Sequence, residues 1–174
     1  MKIQKITYIR NIESEGKLLV FFKIQNRKKF LGPNNHYMCK NNENKTSREA
    51  KTPLDLAICS QSAEIEYISF FIEDEKLCKY EIKNRVIYTN DSILITDERF
   101  TFDKRYIDIK MEFNQYIQNR DVFVVAKDAK IDLIGYRLDD DNYVLFDKED
   151  NFSGVVFKNL TDSQMKELEK SNVL

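Results

Sequence analysis

Histidine is almost missing from these 174 residues: His36 stands alone, which argues against chemistry that needs two imidazoles. The three cysteines, Cys39, Cys59 and Cys78, are an odd number without a CxxC pair. A structural zinc site of the usual Cys/His kind is therefore not expected, and the thiols read as reduced. No GxGxxG or Walker-type spacing marks a phosphate loop, and there is no internal repeat. No window approaches the roughly 18 apolar residues of a membrane span, and the N-terminal MKIQKITYIR has no uninterrupted apolar core of signal-peptide type. The expectation is a cytoplasmic chain with no membrane partner.

What is present is the composition of a folding chain, 42% apolar and 33% charged. Its length suits one domain, 1–174, able to bury a core without staples. The formal charge of −1 conceals an asymmetry. Residues 1–51 carry 12 Lys/Arg against 4 Asp/Glu, and residues 52–174 carry 16 against 25. A basic end of this kind often meets an anionic partner. The layout expected is a basic N-terminal hairpin and loop over 1–51, followed by a helix and sheet core over 52–174.

Ile3–Ile9 and Leu18–Ile24 suggest two strands joined through Glu13–Gly16. Gln25–Lys51 is polar and asparagine-rich, the pattern of a long loop. Thr52-Pro53 looks like an N-cap before proline at the first helical position, predicting a short helix near 53–62. Ile65–Ile72, Leu77–Ile82, Arg85–Thr89, Ser92–Thr96 and Phe100–Phe102 are expected to form an antiparallel meander. Residues 106–113 alternate strictly, predicting a strand to about Met111, then a short helix or turn to Asn119. Strands follow at Val122–Ala126, Ile131–Leu138, Asn142–Phe146 and Gly154–Phe157. Gly135, inside one of them, suggests a bulge or a close approach of backbone. Thr161 and Gln164 have capping-box spacing ahead of a last helix.

Asp108-Ile109-Lys110 sets a carboxylate and an ammonium on one face of a strand. Metal-dependent phosphodiester cleavage needs such a pair. One carboxylate binds Mg²⁺, a second from a neighbouring strand completes the site, and lysine orients the attacking water or offsets charge on the phosphate. The second carboxylate would be Asp97 or Asp91. The competing account of Asp108 and Lys110 is a solvated strand face with a weak ion pair.

The segments FDKRYIDIKMEF, NQYIQNRDVFVVAK and KIDLIGYRLDDD, closed by FSGVVFKNLTDSQMKEL, resemble the PD-(D/E)xK nuclease superfamily over about residues 91–170. The resemblance implies an α+β, restriction-endonuclease-like fold: a central mixed, mostly antiparallel sheet flanked by two or three short helices. It implies catalytic residues Asp97, Asp108 and Lys110, with Asp97 and Asp108 as Mg²⁺ ligands. The position matching the family's first acidic residue holds Thr101, so Asp97 or Asp91 would have to substitute from a shifted register. The helix glutamate would be Glu49 or absent.

Arg27, Lys28, Lys29, Lys40, Lys45 and Arg48 are interleaved with Phe30, His36 and Tyr37, a mixture that suits phosphate contacts and base stacking. It equally suits a solvated loop. Two functions are therefore expected from this chain: a Mg²⁺-dependent nuclease acting on nucleic acid, DNA ahead of RNA, or an inactive relative; or a non-catalytic binding module or inhibitor that meets a protein or nucleic-acid partner through its basic N-terminal region.

Overall fold

A computed structural model describes residues 3–6, 19–26, 32–40, 54–73, 77–79, 82–91, 93–138, 141–170 and 174. In chain order the strands are β1 (Ile3–Ile6), β2 (Leu19–Asn26), β3 (Asn34–Lys40), β4 (Leu54–Cys59), β5 (Ile65–Glu73) and β6 (Arg85–Thr89). They continue with β7 (Tyr106–Lys110), β8 (Phe113–Gln118), β9 (Asp121–Ala126), β10 (Asp132–Arg137), β11 (Asn142–Phe146) and β12 (Phe152–Phe157). One helix among the described residues, α1 (Asp162–Lys170), follows them. No helix there is long and apolar enough to cross a membrane. The chain gathers into two compact units, Met1–Glu73 with Leu94–Glu112, and Asp74–Ile93 with Phe113–Leu174.

The first unit is a six-stranded sheet in the order β1-β2-β5-β4-β3-β7, antiparallel except for the β3–β7 pair. The pleat of β4 turns Leu54, Leu56 and Ile58 to one face, where Cys39, Ile68, Phe70 and Ile107 are also buried. The opposite face carries Asp55 and Ala57. Position two apart, not three or four, thus decides this segment, and pairing on both flanks fixes it as a strand.

The second unit is a six-stranded sheet in the order β6-β10-β11-β12-β9-β8, with only β6–β10 parallel. Phe123, Val125, Leu133, Leu145 and Val156 form its core, with Val86, Tyr116 and Tyr143 packed against them. β9 and β12 are buried along nearly their whole length, which explains their continuous apolar runs. β12 bends at a register shift opposite Leu145/Phe146, where Gly154 has φ +141°. A Cβ there would lie 2.0 Å from the Val124 carbonyl oxygen, so only glycine fits the bulge. At Gly135 the close neighbour is a ring: a Cβ would sit 2.8 Å from Tyr88 Cδ1.

Several expectations are corrected. The fold is mostly β and comprises two sheets, not one sheet flanked by two or three helices, so the restriction-endonuclease-like architecture is not the one formed. Helix 53–62 is replaced by strand β4, because sheet pairing on both sides outweighs a local cap signal; Thr52 and Pro53 themselves lie outside the described residues. Residues 34–40 of the expected loop form β3 between β4 and β7. The meander is absent, since β5 and β6 belong to different sheets. Cys78 makes only an isolated bridge with Tyr116, residues 93–97 form no strand, and 100–104 is a turn closed by Thr101 and Lys104. The helix or turn expected before Asn119 is β8, whose hairpin with β9 turns over Asn119 at φ +56°.

Other expectations hold. β1 and β2 pair antiparallel, though Glu13–Gly16 lies outside the described residues. β9 to β12 follow the predicted strands closely. Thr161 Oγ1 accepts from Gln164 N–H at 3.3 Å while Gln164 Oε1 accepts from Thr161 N–H at 2.8 Å, both halves of a capping box ahead of α1.

Candidate functional site

In β7, burial alternates with the pleat: Tyr106, Asp108 and Lys110 are exposed and Ile107 is buried. The shared face expected for Asp108 and Lys110 is therefore real, on an edge strand of the first sheet. The parallel register sets His36 opposite Tyr106, Met38 opposite Asp108 and Lys40 opposite Lys110.

Asp97 is placed differently. Its carboxylate accepts from the Arg99 side chain and backbone, and from Tyr37 Oη–H at 2.7 Å. The Arg99 guanidinium, assisted by Tyr37, holds the Asp97 carboxyl well below the usual carboxylate range, although partial burial opposes this. Burial raises the Tyr37 phenol, and the bond to Asp97 raises it further. Tyr37 follows His36 in β3 and so projects to the face opposite that of Tyr106, Asp108 and Lys110. Phe100 packs edge-on against it, ring centroids 4.9 Å apart. The geometry thus sets Asp108 and Lys110 on one face of β7, while Asp97 bonds Arg99 and Tyr37, whose ring projects to the other face of the sheet. Asp91 belongs to the other unit and bonds Thr89. Thr101 is in the exposed turn before β7. Among the described residues no group of three or more His, Cys, Asp or Glu side chains assembles as a metal site.

On the Asp108 face a cluster forms that the linear sequence does not announce. Asp55 Oδ1 accepts from His36 Nδ1 at 3.0 Å, and Asp55 Oδ2 accepts from Tyr67 Oη–H at 2.9 Å. A carboxylate can only accept, so Nδ1 carries the proton of this bond. The imidazole stacks on Tyr106 at 4.8 Å between centroids and 12° between planes, with Tyr67 edge-on at 6.0 Å. Burial, then the Asp55 charge, raises the Tyr67 phenol. His36 and Asp55 are largely sheltered, with side chains 13% and 16% exposed, while Tyr106 is 62% exposed. The ring pair is thus anchored beneath and open above.

No protein-family model matches this chain, and no curated protein matches it.

Four residues before Tyr106, Phe102 projects from the turn before β7, 86% exposed, with the Arg105 guanidinium 5.6 Å from its centroid. The segment Phe102-Asp103-Lys104-Arg105-Tyr106 therefore sets two open rings at either end of Lys104 and Arg105, with the acidic Asp103 beside them. The basic residues expected to contact nucleic acid divide: Lys40 ends β3 beside Lys110, whereas Arg27, Lys28, Lys29, Lys45 and Arg48, like Glu49, lie outside the described residues. Over its whole sequence the first unit holds 16 Lys/Arg against 13 Asp/Glu, and the second 12 against 16. The cluster escaped the sequence reading because its four members come from four strands, with His36 assigned to a loop and Asp55 to a helix. The exposed pair Phe102 and Tyr106, flanking Lys104 and Arg105, was the one local signal that could have found it.

Proposed function

We propose that this chain is a non-catalytic binding module whose first unit engages single-stranded nucleic acid across β3 and β7. The observation that carries the reading is the Tyr106 ring, backed by His36 and open to solvent. Sequence-tolerant binding of single strands combines such stacking platforms with cations that follow the phosphates. Phe102 offers a second ring within five residues, and Lys104, Arg105 and Lys110 supply charge along the same segment. The Asp55 carboxylate has an orienting role, because it and Tyr67 fix the plane of His36 and so that of Tyr106. The engagement of Asp97 by Arg99 and Tyr37 supports binding ahead of cleavage.

Fluorescence anisotropy with labelled single-stranded DNA and RNA oligonucleotides tests the proposal. Base–aromatic stacking contributes about 1–3 kcal/mol per base, so Tyr106→Ala and Phe102→Ala are each expected to weaken binding at least about fivefold. Affinity is expected to fall as salt rises. Unchanged affinity in both variants would refute the site. The same mixtures with Mg²⁺ or Mn²⁺ read phosphodiester cleavage. Products that vanish in Asp108→Ala and Lys110→Ala would replace the binding reading with the nuclease one.

A further inference from the structure

The second sheet treats its two edges differently. At the β8 edge, Cys78 N–H donates to Gln115 O and Ile117 N–H donates to Cys78 O, each at 2.9 Å, so residues 77–79 close part of that edge with the protein's own backbone. Leu77 is buried there, 3% exposed. The β6 edge ends the sheet, and its central residues Ile87 and Tyr88 are 59% and 38% exposed.

Backbone polarity shows what the β6 edge offers. Arg85 N–H donates to Ile131 O at 2.7 Å, so the peptide groups of Arg85, Ile87 and Thr89 face β10. Those of Val86 and Tyr88 face outward. An exposed strand edge of this kind templates pairing with another strand unless a proline, a bulge or a charge blocks it. The one charge in β6 is Arg85 at its first position, engaged by Asp132, and the run Val86-Ile87-Tyr88-Thr89 contains none of these. The outer strand of the first sheet, β7, differs in carrying a charge, Asp108, at the central position that Ile87 fills in β6.

The sequence around β6 is complementary to itself. Antiparallel pairing of two copies about a two-fold axis at Ile87 matches all five residues of one strand with all five of the other. It sets Val86 opposite Tyr88 of the second copy, with the outward N–H and C=O groups of each in hydrogen-bonding positions. This is a β-branched–aromatic pair, a favourable cross-strand combination. Two residues beyond either end, the same register sets Lys83 opposite Asp91, both exposed, and it does so twice by symmetry. Asp91 is already steadied by Thr89 Oγ1.

We infer that two copies of this chain associate through antiparallel pairing of their β6 edges about Ile87, joining the second sheets of both into one twelve-stranded sheet. A pairing built on five residues is small, so the dimer is reversible and depends on concentration.

Sedimentation velocity over a concentration series on the full chain tests this, with circular dichroism verifying the fold of each variant. The wild type is expected to pass from monomer to dimer as concentration rises. Ile87→Lys sets like charges against each other at the axis without touching the buried core, and is expected to raise the dissociation constant about tenfold or more. Lys83→Asp and Asp91→Lys are each expected to weaken the dimer by roughly fivefold. The double variant, which reverses both charges, is expected to recover the wild-type value. A wild type that stays monomeric at millimolar concentration overturns the inference. So does a dimer indifferent to Ile87→Lys, or a double charge reversal no tighter than either single one.

Discussion

At residue scale, Cys39 and Cys78 show how environment sets the behaviour of one side chain. Cys39 is 1% exposed, and burial, with a smaller contribution from the Asp55 charge, pushes its thiol up to about 12. Cys78 is exposed. A thiolate is the reactive form and must also be reached. Maleimide labelling of the native protein, mapped by mass spectrometry, is expected to modify Cys78 promptly and to leave Cys39 unmodified until denaturant is added. Equal labelling of both would contradict the burial assigned to β3. Cys59 combines opposing influences. Burial pushes its thiol up, but hydrogen bonds from the Ser62 side chain and backbone and the Gln61 backbone outweigh that and hold it below its ordinary value. The same dependence on surroundings governs His36, whose tautomer follows from Asp55 and not from the imidazole itself.

At element scale, the sharpest constraint lies in β12. Gly154 combines φ +141° with a backbone oxygen where a Cβ would stand, and neither the carbonyl of Val124 nor the paired strand β9 can withdraw without breaking the ladder. Gly154→Ala is therefore expected to destabilise the protein by roughly 3 kcal/mol, from backbone strain together with overpacking. Thermal or urea unfolding measures it, and a loss under about 0.5 kcal/mol would mean that the bulge is not formed as described. Elements also differ in how legible they are. β9 and β12 are unbroken apolar runs and were readable as strands, and α1 carries its start signal in Thr161 and Gln164. β4 was misread because Leu54, Ala57 and Ile58 satisfy a helical face as well as Leu54, Leu56 and Ile58 satisfy a strand face. The choice belongs to β3 and β5, which supply hydrogen bonds from both sides.

At the scale of the whole molecule, three carboxylates are held below their ordinary range by different partners. Arg99 does this for Asp97, Arg85 and then Lys148 for Asp132, and the Asn151 side chain and backbone, with the Glu149 backbone, for Asp147. Both units are represented. A carboxyl whose folded-state value lies below its unfolded value contributes stability that is complete above the ordinary carboxylate range and is lost as pH falls through the folded value. The urea midpoint is thus expected to hold steady from about pH 7 to pH 5 and to decline below about pH 4. Asp147→Asn is expected to reduce that acid dependence, because an amide cannot deprotonate to accept as fully from the surrounding N–H groups. A midpoint that rises on acidification would reverse the sign and refute these assignments.

What rests on neighbours along the chain is legible in the residues alone: alternating and continuous apolar runs for most strands of the second sheet, the capping box of α1, and the common face of Asp108 and Lys110. Folding settled what rests on distant partners. It divided the strands between two sheets, made strands of residues 34–40 and 54–59, carried Asp97 to Tyr37, and gathered His36, Asp55, Tyr67 and Tyr106 on one face. The physical reason is the same in each case. Pleat and periodicity are local and can be counted, but a strand's hydrogen bonds and the partner of a buried charge come from segments tens of residues away, and those pairings overrule a weak local preference.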